Sequence, residues 1–292
     1  MSGEQMELAL DAKADLGEGP VWDDQTGRLI WVDIMANRVN LFEPSTKAVR
    51  SIDVGAPVGA VAMRASDGLL IALADGLALL SLESEELNRL CELPGVTPAV
   101  RMNDGKCDVA GRFWIGTMAY NFQQGAGSLY RLEAGRPPVV ILQDLTISNG
   151  IDWSPDASRM YFVDSPTRGI DVFDYDPSSG GISGRRTFAE ITLEGAVPDG
   201  LCVDAEGNVW VALWGGSCVQ CFDPNGRLQT TVPVPASQVT SCAFGGADLS
   251  DLYITTARGG LSAAQLDSQP QAGGLFRIRP GVKGRVANRF AG

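Results

Sequence analysis

An all-β fold, a six-bladed β-propeller with four-stranded blades around a central channel, is what this sequence predicts, and three observations predict it. Six segments repeat one pattern, a turn built on Gly, Asp or Ser followed by an apolar run in which the third residue after the turn is aromatic or branched. Their key positions, Ile30, Ile71, Trp114, Tyr161, Trp210 and Tyr253, recur after 41, 43, 47, 49 and 43 residues, and a period in the forties built from short strands marks a propeller blade. No segment sustains a helical period; only Glu83 to Leu90 is expected to wind into a turn or two of helix.

Each unit reads as four strands. The fourth shows them in order: Gly150-Ile151-Asp152-Trp153, a turn at Ser154-Pro155-Asp156, Met160-Tyr161-Phe162-Val163, a turn through Thr167-Arg168-Gly169, Ile170 to Tyr175, the turn Asp176 to Gly180, and Arg186-Thr187-Phe188. These turns carry the Pro, Gly and Asp that hairpins require. A ring of blades must close, and pairing strands from the two termini does so while covering exposed sheet edges. Met6-Glu7-Leu8-Ala9-Leu10 is therefore expected to complete the sixth blade, which also carries an insertion from Gly259 to Ala272. With no linker or composition break, residues 1–292 are expected to form one domain.

Of the 292 residues, 45% are hydrophobic and 20% charged, a globular composition that excludes a disordered chain. The net charge of −12 would repel phosphate backbones, which argues against nucleic acid as a partner. The basic cluster near the C-terminus, Arg277, Arg279, Lys283, Arg285 and Arg289, is expected to be a last strand and a solvated tail. Met1 to Leu10 has neither a basic n-region nor an apolar core of the length a leader or anchor needs. A cytoplasmic protein without a membrane partner is expected, a monomer or weak homo-oligomer. Six cysteines are too few for a disulfide scaffold. Cys218 and Cys221 have the spacing of a metal or redox pair, but on a strand residues three apart face opposite sides, so they are expected to be buried apolar residues.

The chain has no His. That excludes Ser-His-Asp and Cys-His catalysis and any His-ligated zinc site. Chemistry must then run on carboxylates, amides, Arg, Lys, Tyr or a metal ion. An oxygen-bearing side chain stands at the mouth of the first strand in several units: Glu18 in Leu16-Gly17-Glu18-Gly19-Pro20, Asn103 in Arg101-Met102-Asn103-Asp104-Gly105, Asn149 in Ser148-Asn149-Gly150, and Asp199 in Pro198-Asp199-Gly200. Taken singly, Asn-Gly and Asp-Gly are turn residues that tolerate left-handed backbone, and Asp104-Gly105 reads that way. Their recurrence in phase with the repeat favours convergence at one mouth of the channel. Glu18, Asn149 and Asp199 then offer a hard-oxygen set for Ca, Mg or Mn, with Zn or Fe(II) as alternatives. Three protein ligands leave open positions for water and substrate. Arg101 and Asn103 face the same mouth, Arg101 either gripping a substrate oxygen or lying on the surface.

These segments, with Trp31-Val32-Asp33-Ile34, Trp114-Ile115-Gly116-Thr117-Met118, Gly127-Ser128-Leu129-Tyr130-Arg131 and Thr255-Thr256-Ala257-Arg258, resemble the senescence marker protein/regucalcin/gluconolactonase family of six-bladed propellers. The resemblance runs from Leu16 to Arg258. It implies metal-dependent hydrolysis of sugar-acid lactones in sugar oxidation, similar to that of bacterial xylono-, arabino- and gluconolactonases, with one divalent ion on Glu18, Asn149 and Asp199. It further assigns Arg101 and Asn103 to the substrate and gives Asp199 a second role in activating water. Members of the family often carry a Glu shortly after Gly-Thr-Met, where this chain reads Ala119-Tyr120-Asn121-Phe122, so Asn121 is the corresponding substrate-side candidate. Two alternatives use the same architecture: an organophosphate or aryl-ester hydrolase, which a wide apolar entrance would favour, and a non-catalytic calcium-binding propeller.

Overall fold

A computed structural model describes residues 6–292. The reading of Met1 to Leu10 as free of a leader falls partly outside them. Six four-stranded antiparallel sheets follow one another along the chain as the blades of a six-bladed propeller. Their inner strands, Gly17–Asp23, Val58–Met63, Val100–Cys107, Ser148–Trp153, Val197–Val203 and Val239–Gly245, pack against one another around the channel. Burial follows that order. The inner strand Val58–Met63 is buried throughout, whereas the outer strand Ala48–Asp53 is exposed at all positions but one. The ring closes as expected: Glu7–Leu10 forms the outer strand of the sixth blade, pairing with Leu275–Ile278.

The six repeat-phased positions fall in matching second strands, and Trp114, Tyr161, Trp210 and Tyr253 are each no more than 3% exposed. They fill the seams between blades; Trp114 meets Trp153 of the next blade edge-on at 5.8 Å. In two blades the turn before this strand clamps the aromatic. Asp108 accepts the Trp114 indole N–H at 2.9 Å, the Arg112 Nε at 2.7 Å and the Tyr175 hydroxyl at 2.7 Å, while Asp204 accepts the Trp210 indole at 2.9 Å. Cys218 and Cys221 are buried free thiols that join different core clusters, as alternate faces of one strand require.

Two expectations need correction. Glu83 to Leu90 makes no helix: Leu87–Cys91 is the outer strand of the second blade, because the sheet edge offers backbone partners that an isolated turn of helix lacks. The helix that does form, Ala263–Ser268, lies in the sixth-blade insertion and is capped by Ser262. The C-terminal basic cluster is not merely a solvated tail. Beyond the strand containing Arg277, residues 283–292 cross the end of the channel remote from the strand mouths and bond to every blade. The contacts run through Leu249 O, Ala205 N, Trp153 O, Cys107 O, Met63 O and the carboxylate of Asp23. Phe290 is buried beside the second and third blades. Charged tails become ordered when buried carboxylates await them, here Asp152 for Arg285 and Asp23 for Arg289. Among the described residues no helix is long and apolar enough to cross a membrane.

The Asp108 clamp yields a stability test. Asp108→Ala strands a buried guanidinium, an indole N–H and a phenol, and is expected to cost about 3–5 kcal/mol in urea unfolding. A loss below about 1 kcal/mol would show that these groups find other partners.

Candidate functional site

All six inner strands carry an irregularity near the mouth, at one phase in five blades and one residue later in the first, where Glu18 still pairs with Val32. In the first, third, fourth and fifth blades two residues oppose one on the neighbouring strand: Gly19-Pro20, Asn103-Asp104, Asn149-Gly150 and Asp199-Gly200. The second and sixth blades insert one residue, Gly59 and Thr240. A bulge bends its strand and re-aims a side chain. Glu18, Gly59, Asn103, Asn149, Asp199 and Thr240 therefore form one ring at the channel mouth, inside the strands rather than just ahead of them.

The glycines that follow Asn149 and Asp199 serve space, whereas Gly19, after Glu18, takes a left-handed backbone at φ 53°. Gly150 keeps an ordinary backbone conformation, but a Cβ there would lie 2.6 Å from the Asp199 carbonyl oxygen. The ring position itself is glycine in the second blade, where a Cβ would meet the Met102 and Asn103 backbone at 2.6 Å. Asp104-Gly105 is likewise no turn: both residues belong to the inner strand, and the Asp104 carboxyl is buried within the channel.

Four of the ring's side chains meet. The Glu18 and Asp199 carboxyls face each other at close range. Burial, with Asp104 nearby, raises Glu18 to about 8 against the pull of the Gly19 N–H and Arg101. Burial and the facing Glu18 likewise push Asp199 well up. Asp199 Oδ1 is buried with no hydrogen-bond partner. Asn149 is fixed from both ends, its Nδ2 donating to Ser165 Oγ at 2.8 Å and its Oδ1 accepting from Asn103 Nδ2 at 2.8 Å. Arg101, 6% exposed, donates to Asn103 Oδ1 at 2.6 Å and to Met102 O at 2.9 Å. The loops into two of these strands are held by the last residue of the next strand: Asp33 accepts from Leu16 N and Asp164 from Ile147 N.

A cavity of about 280 Å3 opens over the ring, lined by Glu18, Arg101, Asn103, Asn149 and Asp199. Its collar is apolar, formed by Leu16, Met118, Phe122, Ile147, Val197 and Trp214. Asn121 lies beside it on an exposed loop, its Oδ1 accepting from Gln123 N at 3.2 Å, and its neighbour Phe122 reaches the cavity instead. Leu16, Ile147 and Val197 each stand two residues before a ring position, and Met118 and Trp214 stand at or near the ends of second strands; Phe122 and Ser165 lie in irregular segments without repeat phase, and the sequence alone does not point to them.

Among the described residues no three His, Cys, Asp or Glu side chains converge as a metal site; the ring offers two carboxyls and an amide. These residues fit a hard divalent cation. Two buried carboxyls face each other with one guanidinium nearby, an unpartnered oxygen awaits a partner, and the Asn149 amide is held in place by Ser165 and Asn103. At about a hundredfold excess over its dissociation constant, Ca2+ or Mn2+ should stabilise the protein by about 2.7 kcal/mol in thermal unfolding. Glu18→Gln should abolish that gain, and an undiminished gain would remove Glu18 from the ligand set.

Residues 16–258 match the family model described as the SMP-30/Gluconolactonase/LRE-like region. The chain is 38% identical to regucalcin of Xenopus laevis over 299 aligned residues that cover all of both chains. It is 39% identical over 286 residues to YvrE of Bacillus subtilis, which carries the provisional name sugar lactone lactonase, with 98% of each chain covered. Among solved structures, a calcium-binding protein, regucalcin, of Agrobacterium tumefaciens superposes with a TM-score of 0.93 at 31% identity, over 97% of this chain and 96% of that one.

Proposed function

The chain belongs to the SMP-30/gluconolactonase/LRE-like family, and from that premise we propose that it hydrolyses a sugar-acid lactone to the aldonic acid, aided by one divalent cation on Glu18, Asn149 and Asp199. The observation that carries this reading is the pair of facing carboxyls with the unpartnered Asp199 Oδ1, set beside an amide and a buried Arg under a cavity of about 280 Å3. A volume of that size suits a monosaccharide-sized ligand.

When bound, the cation, whether Ca, Mg, Mn, Zn or Fe(II), would polarise the lactone carbonyl. Asp199 takes a proton from the attacking water through its free oxygen. The hydroxyl adds to the carbonyl carbon, and the Arg101 guanidinium donates to the oxygen that gains charge. Asn103 positions Arg101 through their 2.6 Å bond and is available to a ring hydroxyl. When the ring C–O bond breaks, the proton held by Asp199 passes to the leaving oxygen, so water and lactone are consumed in equal number. Met118, Phe122 and Trp214 cover the C–H face of the sugar and limit bulk water. Asn121, on the loop beside Phe122, would meet only the outermost hydroxyls. The product's negative charge is repelled by a chain of net charge −12.

The apolar collar favours a second reading, in which the same groups attack an aryl ester or organophosphate. A calcium-binding role without turnover, suggested by the regucalcin relatives, is the remaining alternative. One assay separates them: acid release from aldonolactones and from an aryl ester, measured after chelation and on addition of each metal. Aldonolactone turnover that vanishes with chelation is expected. Asp199→Asn keeps an oxygen for the ion but cannot accept the proton, so it should lose about 100-fold or more of kcat at saturating metal. Full recovery at high metal would leave Asp199 a ligand only, and metal binding without turnover would favour the calcium-binding role.

A further inference from the structure

Three residues beyond the ring, each inner strand presents a second set of side chains to the channel: Val21, Ala62, Lys106, Asp152, Cys202 and Ala243. All six line a cavity of about 80 Å3 between the ring and the C-terminal segment. Only the third and fourth blades place charge there, in the strands that carry Asn103 and Asn149. Lys106 Nζ donates to Asp152 Oδ2 at 3.1 Å and, across the channel, to Leu201 O at 3.0 Å. Asp152 Oδ2 also accepts from Val203 N at 3.0 Å. Both main-chain partners sit in the strand of Asp199, two and four residues beyond it. From below, Arg285 donates to Asp152 Oδ1 at 3.2 Å, Trp153 O at 2.7 Å and Val203 O at 3.3 Å.

An apolar filling would serve packing at least as well, since buried charges lose much of their mutual attraction to desolvation. The directional bonds of this network do what apolar packing cannot: they tie three strands together at fixed spacing directly beneath Asn103, Asn149 and Asp199. We infer that the Lys106–Asp152–Arg285 network is a positioning device that sets the cation affinity of the ring above it, with the C-terminal segment supplying one of its members. This rests on the cation-site reading. Lys106, Asp152 and Arg285 touch neither cation nor substrate and act through the strands they join.

The test is Mn2+ titration followed by electron paramagnetic resonance on Lys106→Met, Arg285→Met and Arg285→Lys. Arg277→Met, which removes ion pairs to Glu7 and Asp251 at the outer part of the sixth blade, serves as a control for general destabilisation. The two Met variants are expected to weaken Mn2+ binding by about 10-fold, the low end of what losing a residue hydrogen-bonded to a metal ligand costs, with Arg285→Lys recovering part of the loss and the control within about twofold of the parent. Unchanged affinity in folded Lys106→Met and Arg285→Met would overturn the inference. A second readout needs no metal: the side-chain amide NMR signals of Asn103 and Asn149 should move in both Met variants and stay in place in the control. If the parent binds no Mn2+, the cation reading fails, and these amide signals still decide the positioning claim, coincidence with the parent spectrum overturning it.

Discussion

One extra residue in each inner strand is the constraint on which the site depends. A regular strand sends successive side chains to alternate faces, and in a propeller both faces of a blade are occupied by its neighbours. A bulge breaks that alternation and turns a single side chain toward the axis. Because the irregularity recurs at one phase in five blades and one residue later in the first, six positions scattered between residues 18 and 240 share one ring. The blades then differ only in what they place there. Glycine in the second blade admits the backbone of the third, and Thr240 in the sixth is spent on Gly17 O and Thr255 Oγ1. The remaining four positions bear the polar groups available to a ligand.

The electrostatics of the ring follow from its burial. Two carboxyls and one guanidinium in a dry setting leave an acidic excess, and burial together with repulsion from neighbouring carboxyls pushes both Glu18 and Asp199 up. One layer deeper the balance differs. Lys106 and Arg285 pair with Asp152, whose carboxyl burial would raise but which these cations hold below its usual range. The acidic excess is confined to the cavity that opens outward, where a cation or a polar substrate can meet it. The chain has no His, so the titratable groups that the ring itself presents are carboxyls.

Much of the architecture was legible because blades repeat. Spacings of 41 to 49 residues and aromatic residues at one phase sufficed for six blades, and the in-phase oxygens at Glu18, Asn103, Asn149 and Asp199 led to the ring. The bulges were not legible, because a bulge is defined by the partner strand's register. Asn-Gly therefore resembled a turn, whereas Gly150 is required by the nearness of Asp199 O. Nor were the parts without repeat phase. The collar residue Phe122 comes from a loop, and Arg285 reaches its place only because Asp152 lies beneath the ring. Its charge alone reads as a solvated tail; its partner is 133 residues away.

The central claim is that the bulged ring gathers Glu18, Asn149 and Asp199 around one cation. Diffraction from crystals equilibrated with Ca2+ tests it most directly. The account predicts a single ion at the channel mouth with oxygens of all three side chains about 2.3–2.6 Å away. An ion seated instead among Asp104 and Asp152 in the inner cavity, or no ion at the ring at saturating Ca2+, would contradict it.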